Sequence, residues 1–310
     1  MRIVFLGSGQ FAVASLEALA RARLDVLSVV TQPDRPSGRG RSLAPTPVKT
    51  AARALGLEVS QPERIRAPET TAALRALAPD LLVVVAYGQI LPPAVIGIPR
   101  LGAVNVHASL LPAYRGAAPI QWAIARGETQ TGVTTMLVDE GLDTGPLLLA
   151  TRTPIGPEET AGELEARLAI LGADLLLRTV QGLGGGALSA RPQPEGPAPR
   201  APLVRKEDGR IDWTLDALDI ARRVRAFNPW PVAFGHWQGR VLRILRARRE
   251  DAQVAAQPGA IVAADRHGLL VACGAGTVLR VIEVQPESRR PMSAEAFLGG
   301  ARLATGARLS

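Results

Sequence analysis

Leu81 to Ala86 reads Leu-Leu-Val-Val-Val-Ala, an unbroken apolar run. A strand with no polar alternation has both faces covered, the condition of a central strand in a parallel sheet. Arg2 to Leu6 and Asp25 to Thr31 are further strands, joined through a Gly7-Ser8-Gly9 turn and a helix reaching about Ala22. Helical stretches follow at Thr46 to Leu55, Pro68 to Leu77, Ala117 to Arg126 and Glu159 to Gln181. Strand patterns interleave with them at Glu58 to Gln61, Ala103 to Ala108, Thr131 to Leu137 and Leu147 to Thr153. This alternation predicts an α/β, Rossmann-like fold: a mostly parallel sheet with helices on both faces and its site at the strands' carboxyl ends.

At 310 residues the chain has room for two domains, each with its own core. Residues 182–205 are rich in Gly, Pro and Ala without periodicity, so they are expected to link a domain at 1–181 to one at 206–310. After a helix at Leu215 to Phe227, five short strands are spaced along the second domain. They are Val232 to Trp237, Val241 to Arg248, Gly259 to Ala264, Leu269 to Cys273 and Val278 to Val284. A small OB-like β-barrel suits that spacing.

A single cysteine, Cys273, excludes an internal disulfide and fits a reducing compartment. No apolar run approaches a membrane span, and Arg2 leads straight into a strand, so no signal peptide is expected and the cytoplasm is the expected location. The net charge of +8 favours an anionic partner without identifying one. From Lys206 onward there are 16 Lys and Arg against 11 Asp and Glu, so much of the excess lies in the second domain. Lys49 and Lys206 are the two lysines; the other basic residues are arginines.

The Gly7-Ser8-Gly9 turn has the outline of a dinucleotide fingerprint, but no acidic residue closes the second strand, where Thr31-Gln32-Pro33 stands. A tight strand-to-helix turn is the preferred reading, and no nucleotide cofactor is expected. Gln32 to Lys49 is too long and too rich in Pro, Gly and Arg for a plain connector. Its Arg35, Arg39 and Arg41 form either a solvated basic loop or a mobile arm for phosphates.

The chemistry concentrates at Asn105-Val-His-Ala-Ser-Leu-Leu-Pro112. Residues two apart on a strand share a face, so Asn105 and His107 project side by side. An amide donor beside an imidazole suits a carbonyl under attack. Asp143 lies between glycines in Gly141-Leu-Asp-Thr-Gly145 and is either a turn-former or the carboxylate that orients His107. Ser109 lacks the surroundings of a nucleophile elbow. One cysteine and three scattered histidines, His107, His236 and His267, do not suggest a metal site.

Several further stretches complete the pattern: Thr31-Gln-Pro-Asp-Arg-Pro36, Gly38-Arg-Gly40, Pro47-Val-Lys49, Ala86-Tyr-Gly-Gln-Ile-Leu-Pro92, Arg115-Gly-Ala-Ala-Pro-Ile-Gln121, Gly132-Val-Thr134, Ile211-Asp-Trp213 and Arg225-Ala-Phe-Asn-Pro-Trp-Pro231. With the Asn-x-His and Asp motifs they make the chain, over nearly its whole length, resemble the methionyl-tRNA formyltransferases of the folate-dependent formyltransferase superfamily. The resemblance implies transfer of a formyl group from 10-formyltetrahydrofolate to the α-amino group of methionyl initiator tRNA, by a monomer that needs neither metal nor membrane. It implies that Asn105, protonated His107 and Asp143 are catalytic and that Ser109, Leu110, Leu111 and Pro112 form the folate-binding turn. Ile90 and Leu91 are either the pterin's neighbours or plain core. Arg35, Arg39, Arg41, Lys49, Lys206 and Arg302 are expected to contact tRNA. Gly7-Ser8-Gly9 and Ala113 depart from the family pattern, the latter by lacking a basic residue. Formylation of a small sugar amine, hydrolysis of formyltetrahydrofolate and non-catalytic tRNA binding remain as alternatives.

Overall fold

The structure is a computed structural model and describes residues 1–37, 42–265, 267–300 and 307–310. The chain divides into two compact units that interleave in sequence. The first comprises Met1–Gly116, Gln130–Pro154 and Glu165–Arg200; the second comprises Ala117–Thr129, Ile155–Leu164 and Ala201–Ser310.

The first unit carries β1 (Arg2–Gly7), β2 (Asp25–Val30), β3 (Arg35–Ser37), β4 (Ser42–Ala44), β5 (Val59–Ser60), β6 (Leu81–Val85), β7 (Ala103–His107), β8 (Arg115–Gly116), β9 (Gln130–Leu137) and β10 (Leu147–Pro154). Its helices are α1 (Phe11–Arg21), α2 (Pro47–Ala54), α3 (Pro68–Ala76) and α4 (Pro93–Ile96). Seven strands form one sheet in the order β10-β9-β7-β6-β1-β2-β5. Pairing is parallel from β5 to β7 and antiparallel where β9 and β10 complete the sheet. The order reverses between β1 and β6, so a crevice opens beyond their carboxyl ends. Ile3 to Leu6 and Leu81 to Val83 are wholly buried, as expected for strands covered on both faces. Helix α2 starts where Thr46 accepts the Lys49 N–H at 3.1 Å and Pro47 supplies a preset φ in the first turn.

The second unit carries α5 (Pro119–Ala125), α7 (Ala217–Ala226), strands β12 (Ala233–Trp237), β13 (Arg240–Gln253), β14 (Ile261–Asp265), β15 (Gly268–Ala272), β16 (Thr277–Pro286) and β17 (Met292–Ser293), and α8 (Ala294–Gly300). Between these come α6 (Ala161–Gly184) and β11 (Arg200–Ala201). The antiparallel order is β12-β13-β16-β15-β14, with β17 on β16. Strand β13 outruns the expected segment, because Arg249, Glu250 and Gln253 keep pairing with β16 although their side chains are polar. Main-chain pairing, not side-chain pattern, extends it.

Residues 307–310 close this sheet into a barrel. The His236 N–H donates to the Ser310 carbonyl at 2.6 Å and the Ser310 N–H returns to His236 at 3.0 Å, on the β12 edge. The Leu309 N–H reaches the Gly259 carbonyl at 2.9 Å and the Ile261 N–H reaches Ala307 at 2.8 Å, on the β14 side. Leu309 is buried in a core with Trp213, Ile220, Leu242, Val271 and Val281. Leu309→Ala is expected to cost about 2–5 kcal/mol, because a cavity opens where the barrel closes. A urea unfolding curve checks this.

Candidate active site

Strand β7 positions two of the expected residues. Its pairing sets Asn105 opposite Met136 and His107 opposite Thr134 of β9. His107 is buried, with its Nε2 3.0 Å from the Tyr114 carbonyl. A carbonyl only accepts, so Nε2 carries the proton. The Nδ1 atom lies 3.7 Å from Oδ2 of Asp143. Asn105 Nδ2 donates to Oδ1 of the same carboxylate over 3.4 Å, and the Gly116 N–H donates to Oδ2 at 2.9 Å. Amide, imidazole and carboxylate are therefore together. Within the loop the two aspartates divide the work. Asp139 is the turn-former, accepting from the Gly141 N–H and the Thr144 hydroxyl, while Asp143 points inward.

Asp143 sits at φ 54, a left-handed conformation that costs a non-glycine residue about 1–2 kcal/mol. The loop then returns to β10 through Gly145, where a Cβ would stand 1.8 Å from the Leu137 carbonyl oxygen. No other residue fits there.

The turn after β7 is tied down from within. The Ser109 hydroxyl donates to the Ala113 carbonyl at 2.6 Å. Thr134 donates to the Ser109 carbonyl at 2.7 Å and accepts the Leu111 N–H at 3.2 Å. Ser109 and Leu111 are buried, whereas Leu110 and Pro112 are half-buried. Gly132 leaves room for Leu110, whose Cδ2 would meet an added Cβ at 2.6 Å. Thr134 was legible only as part of a motif; nothing in its spacing announced this double hydrogen bond.

The remaining residues are dispersed. Leu91 is 5% exposed and belongs to the core with Val4, Leu82 and Tyr87, whereas Ile90 is 81% exposed. The two neighbours thus have different roles. A cavity of about 590 Å³ lies beyond β1, β2 and β6, lined by Ser8, Gln32, Arg35, Thr46, Tyr87 and Gly88 among others. Burial pushes the Tyr87 phenol up to about 12. The Ser8 and Gly9 N–H groups both donate to the Ala86 carbonyl, so the glycine turn is braced against β6.

Lys49 departs from expectation. It is buried, and its ammonium lies 2.6 Å from Oδ2 of Asp34, whose other oxygen accepts from Gln61 at 2.7 Å. These bonds hold the Asp34 carboxyl below its usual range. The lysine is thus an internal strut of the loop and not an exposed contact for phosphate. Arg35 and Lys206 are exposed. Arg39, Arg41 and Arg302 lie outside the described residues.

An amide and an imidazole on a central strand of an α/β sheet, with a carboxylate brought beside them by a loop, make a centre suited to attack on a carbonyl carbon. Residues 1–180 match the formyl transferase family model, and residues 203–302 match that of the formyl transferase C-terminal domain. The chain belongs to the formyl transferase family. It is 54% identical over 303 residues to a methionyl-tRNA formyltransferase of Solibacter usitatus, spanning 98% of this chain and 96% of that one. It is 47% identical to the one from Geobacter metallireducens, spanning 100% and 98%. Among solved structures, an N-formyltransferase from Helicobacter canadensis crystallised with folinic acid and dTDP-3-aminofucose shares the fold. Its TM-score is 0.68 at 17% identity, over 92% of this chain and 98% of that one. HypX from Aquifex aeolicus, crystallised with tetrahydrofolic acid, gives 0.64 at 19% identity, over 96% of this chain and 47% of that one.

With its hydroxyl committed to Ala113, Ser109 is a fastener. Ser109→Ala is expected to lower stability by about 1–3 kcal/mol, since it strands a carbonyl, while formyl-transfer activity falls less than about tenfold. Thermal unfolding beside a rate measurement checks both halves.

Proposed function

We propose that this chain transfers the formyl group of 10-formyltetrahydrofolate to the α-amino group of methionyl initiator tRNA. The observation that carries the reading is the end-to-end likeness, across both family regions, to relatives named for that activity. The cluster of Asn105, His107 and Asp143 supports it chemically. Folinic acid and tetrahydrofolic acid in the two crystallised structures of the same fold support a folate donor.

The amine must be neutral to attack, and an α-amino pKa of about 8 leaves part of it so near neutrality. The new C–N bond forms as the formyl oxygen takes up negative charge. Breakdown then cleaves the bond to folate N10, which gains the proton that the amine gives up. Asn105 has two amide N–H bonds; one is directed at Asp143, leaving the second for the oxyanion. A donor of that kind is worth about 10²–10³ in rate. His107 Nε2–H is held by the Tyr114 carbonyl in this arrangement, so it must exchange that partner for substrate to take part directly. Its other nitrogen faces Asp143, and the pair is the route for moving a proton beside the reacting atoms.

The folate is read as lying against the half-buried Leu110 and Pro112 and the exposed Ile90, with Ser109, Leu111 and Leu91 shaping the wall from behind. The cavity beyond β1 and β6 is read as taking the aminoacyl end of the tRNA. Arg35 and Lys206, with Arg39, Arg41 and Arg302 of the sequence, are the proposed phosphate contacts. Lys49 is not among them.

Steady-state assays on charged initiator and elongator tRNAs and on a small sugar amine test the acceptor; efficient use of the sugar amine alone would overturn the reading. His107→Ala and Asp143→Ala are each expected to reduce kcat by at least about 100-fold, and Asn105→Ala by about 10²–10³ with little change in KM. Binding of tRNA should weaken with salt along a log–log slope of about −0.7 to −0.9 per phosphate contact, and Lys206→Ala should remove about one such unit. The full-length chain is the right material, because Ala117–Thr129 and Ile155–Leu164 cluster with the C-terminal unit and a chain cut near Leu203 would strip them of it.

A further inference from the structure

Gln193 lies in a stretch whose composition reads as a free tether, yet it is half-buried while Pro192 and Pro194 beside it are exposed. Two residues earlier, Arg191 and Leu147 exchange backbone hydrogen bonds of 2.7 and 2.8 Å, which fastens the segment to the start of β10. That pairing delivers Gln193 to the loop carrying Asp143. Its Nε2 donates to the Asp143 carbonyl and to the Gly145 carbonyl, each at 2.8 Å. Its Oε1 accepts from Arg115 Nε at 3.0 Å and from Arg115 Nη2 at 2.6 Å. Both donors and both lone pairs of the amide are used, and the partners fix which way round it sits.

The arrangement forms a closed circuit. Arg115 grips Gln193, Gln193 grips the backbone on either side of Thr144, and the N–H of Gly116, next to Arg115, holds the Asp143 carboxylate from the other side. Loop residues 140–142 are exposed, and Asp143 adopts a left-handed backbone. Such a conformation persists where its surroundings over-determine it. We infer that Gln193 is a positioning residue: it sets the Asp143 carboxylate against His107 and Asn105 by clamping the loop backbone. This rests on the proposed role of Asp143 in formyl transfer. Gln193 touches no reacting atom.

The test is steady-state formyl transfer by the full-length chain, from 10-formyltetrahydrofolate to methionyl initiator tRNA, with thermal melts to establish folding. Gln193→Ala should lower kcat about 10- to 100-fold, the scale of a small misplacement, with both KM values within about threefold. Gln193→Glu keeps an acceptor for Arg115 but sets a carboxylate against two carbonyls, so it should be as impaired as the alanine variant. In the Asp143→Ala background, Gln193→Ala should add less than about a twofold loss, because its effect passes through Asp143. Wild-type kcat in both Gln193 variants beside an inactive Asp143→Ala would overturn the clamp and leave the catalytic reading standing. Rescue by glutamate, or losses that multiply in the double variant, would overturn it too. An active Asp143→Ala would remove the catalytic reading and the clamp with it. If Gln193→Ala does not fold, the near-isosteric glutamate variant decides.

Discussion

Strand β7 is hydrogen-bonded on both sides, parallel to β6 and antiparallel to β9, and its register is the constraint on which the site depends. Successive side chains leave a strand on opposite faces, so a slip of one residue would exchange Asn105 and His107 for Val104 and Val106. The opposite face is closed to that exchange. Val106 Cγ1 lies 3.0 Å from where a Cβ on Gly172 of α6 would stand, leaving room for an apolar side chain under a glycine and none for a buried imidazole. Burial of a polar ring there without partners would cost several kcal/mol. Packing on one face thus holds the chemistry on the other.

The antiparallel direction of β9 has a further consequence. Leu137, its last residue, lies opposite Val104 near the start of β7. The loop that follows must turn back over the sheet to set Asp143 beside Asn105 and His107. A free loop of exposed residues would not hold that course. Gly145 permits the tight return, Gly116 and Gln193 fasten the turning point, and Thr134 secures the facing turn from the strand itself. The carboxylate is placed by backbone hydrogen bonds drawn from several distant segments. Its position is therefore sensitive to residues that lie well away from it in sequence.

Charge follows a similar division between exposed and internal groups. Lys49 and Arg35 both lie in the Gln32 to Lys49 stretch, and the family resemblance makes both expected contacts for tRNA. Lys49 is neutralised by Asp34 at 2.6 Å and buried, whereas Arg35 remains at the surface. A buried ammonium is tolerable only when paired, and Asp34 and Gln61 supply its setting. Among the described residues no helix is long and apolar enough to cross a membrane.

The sequence shows directly the elements whose side chains carry a period. The Leu81 to Ala86 run specified a covered central strand, alternation specified the α/β class, and the short spaced strands specified a barrel. It also determined that Asn105 and His107 share a face, because that follows from strand geometry alone. Tertiary structure decided everything that depends on non-local hydrogen bonding. It made β9 antiparallel, extended β13 by main-chain pairing, and closed the barrel with residues 307–310. It turned Lys49 inward and drew Gln193 out of an apparent tether and onto the Asp143 loop. Hydrophobic period is a local property and can be read along the chain. The partner of a carbonyl or an ammonium is set by which distant segment arrives beside it, and no spacing in the sequence encodes that arrival.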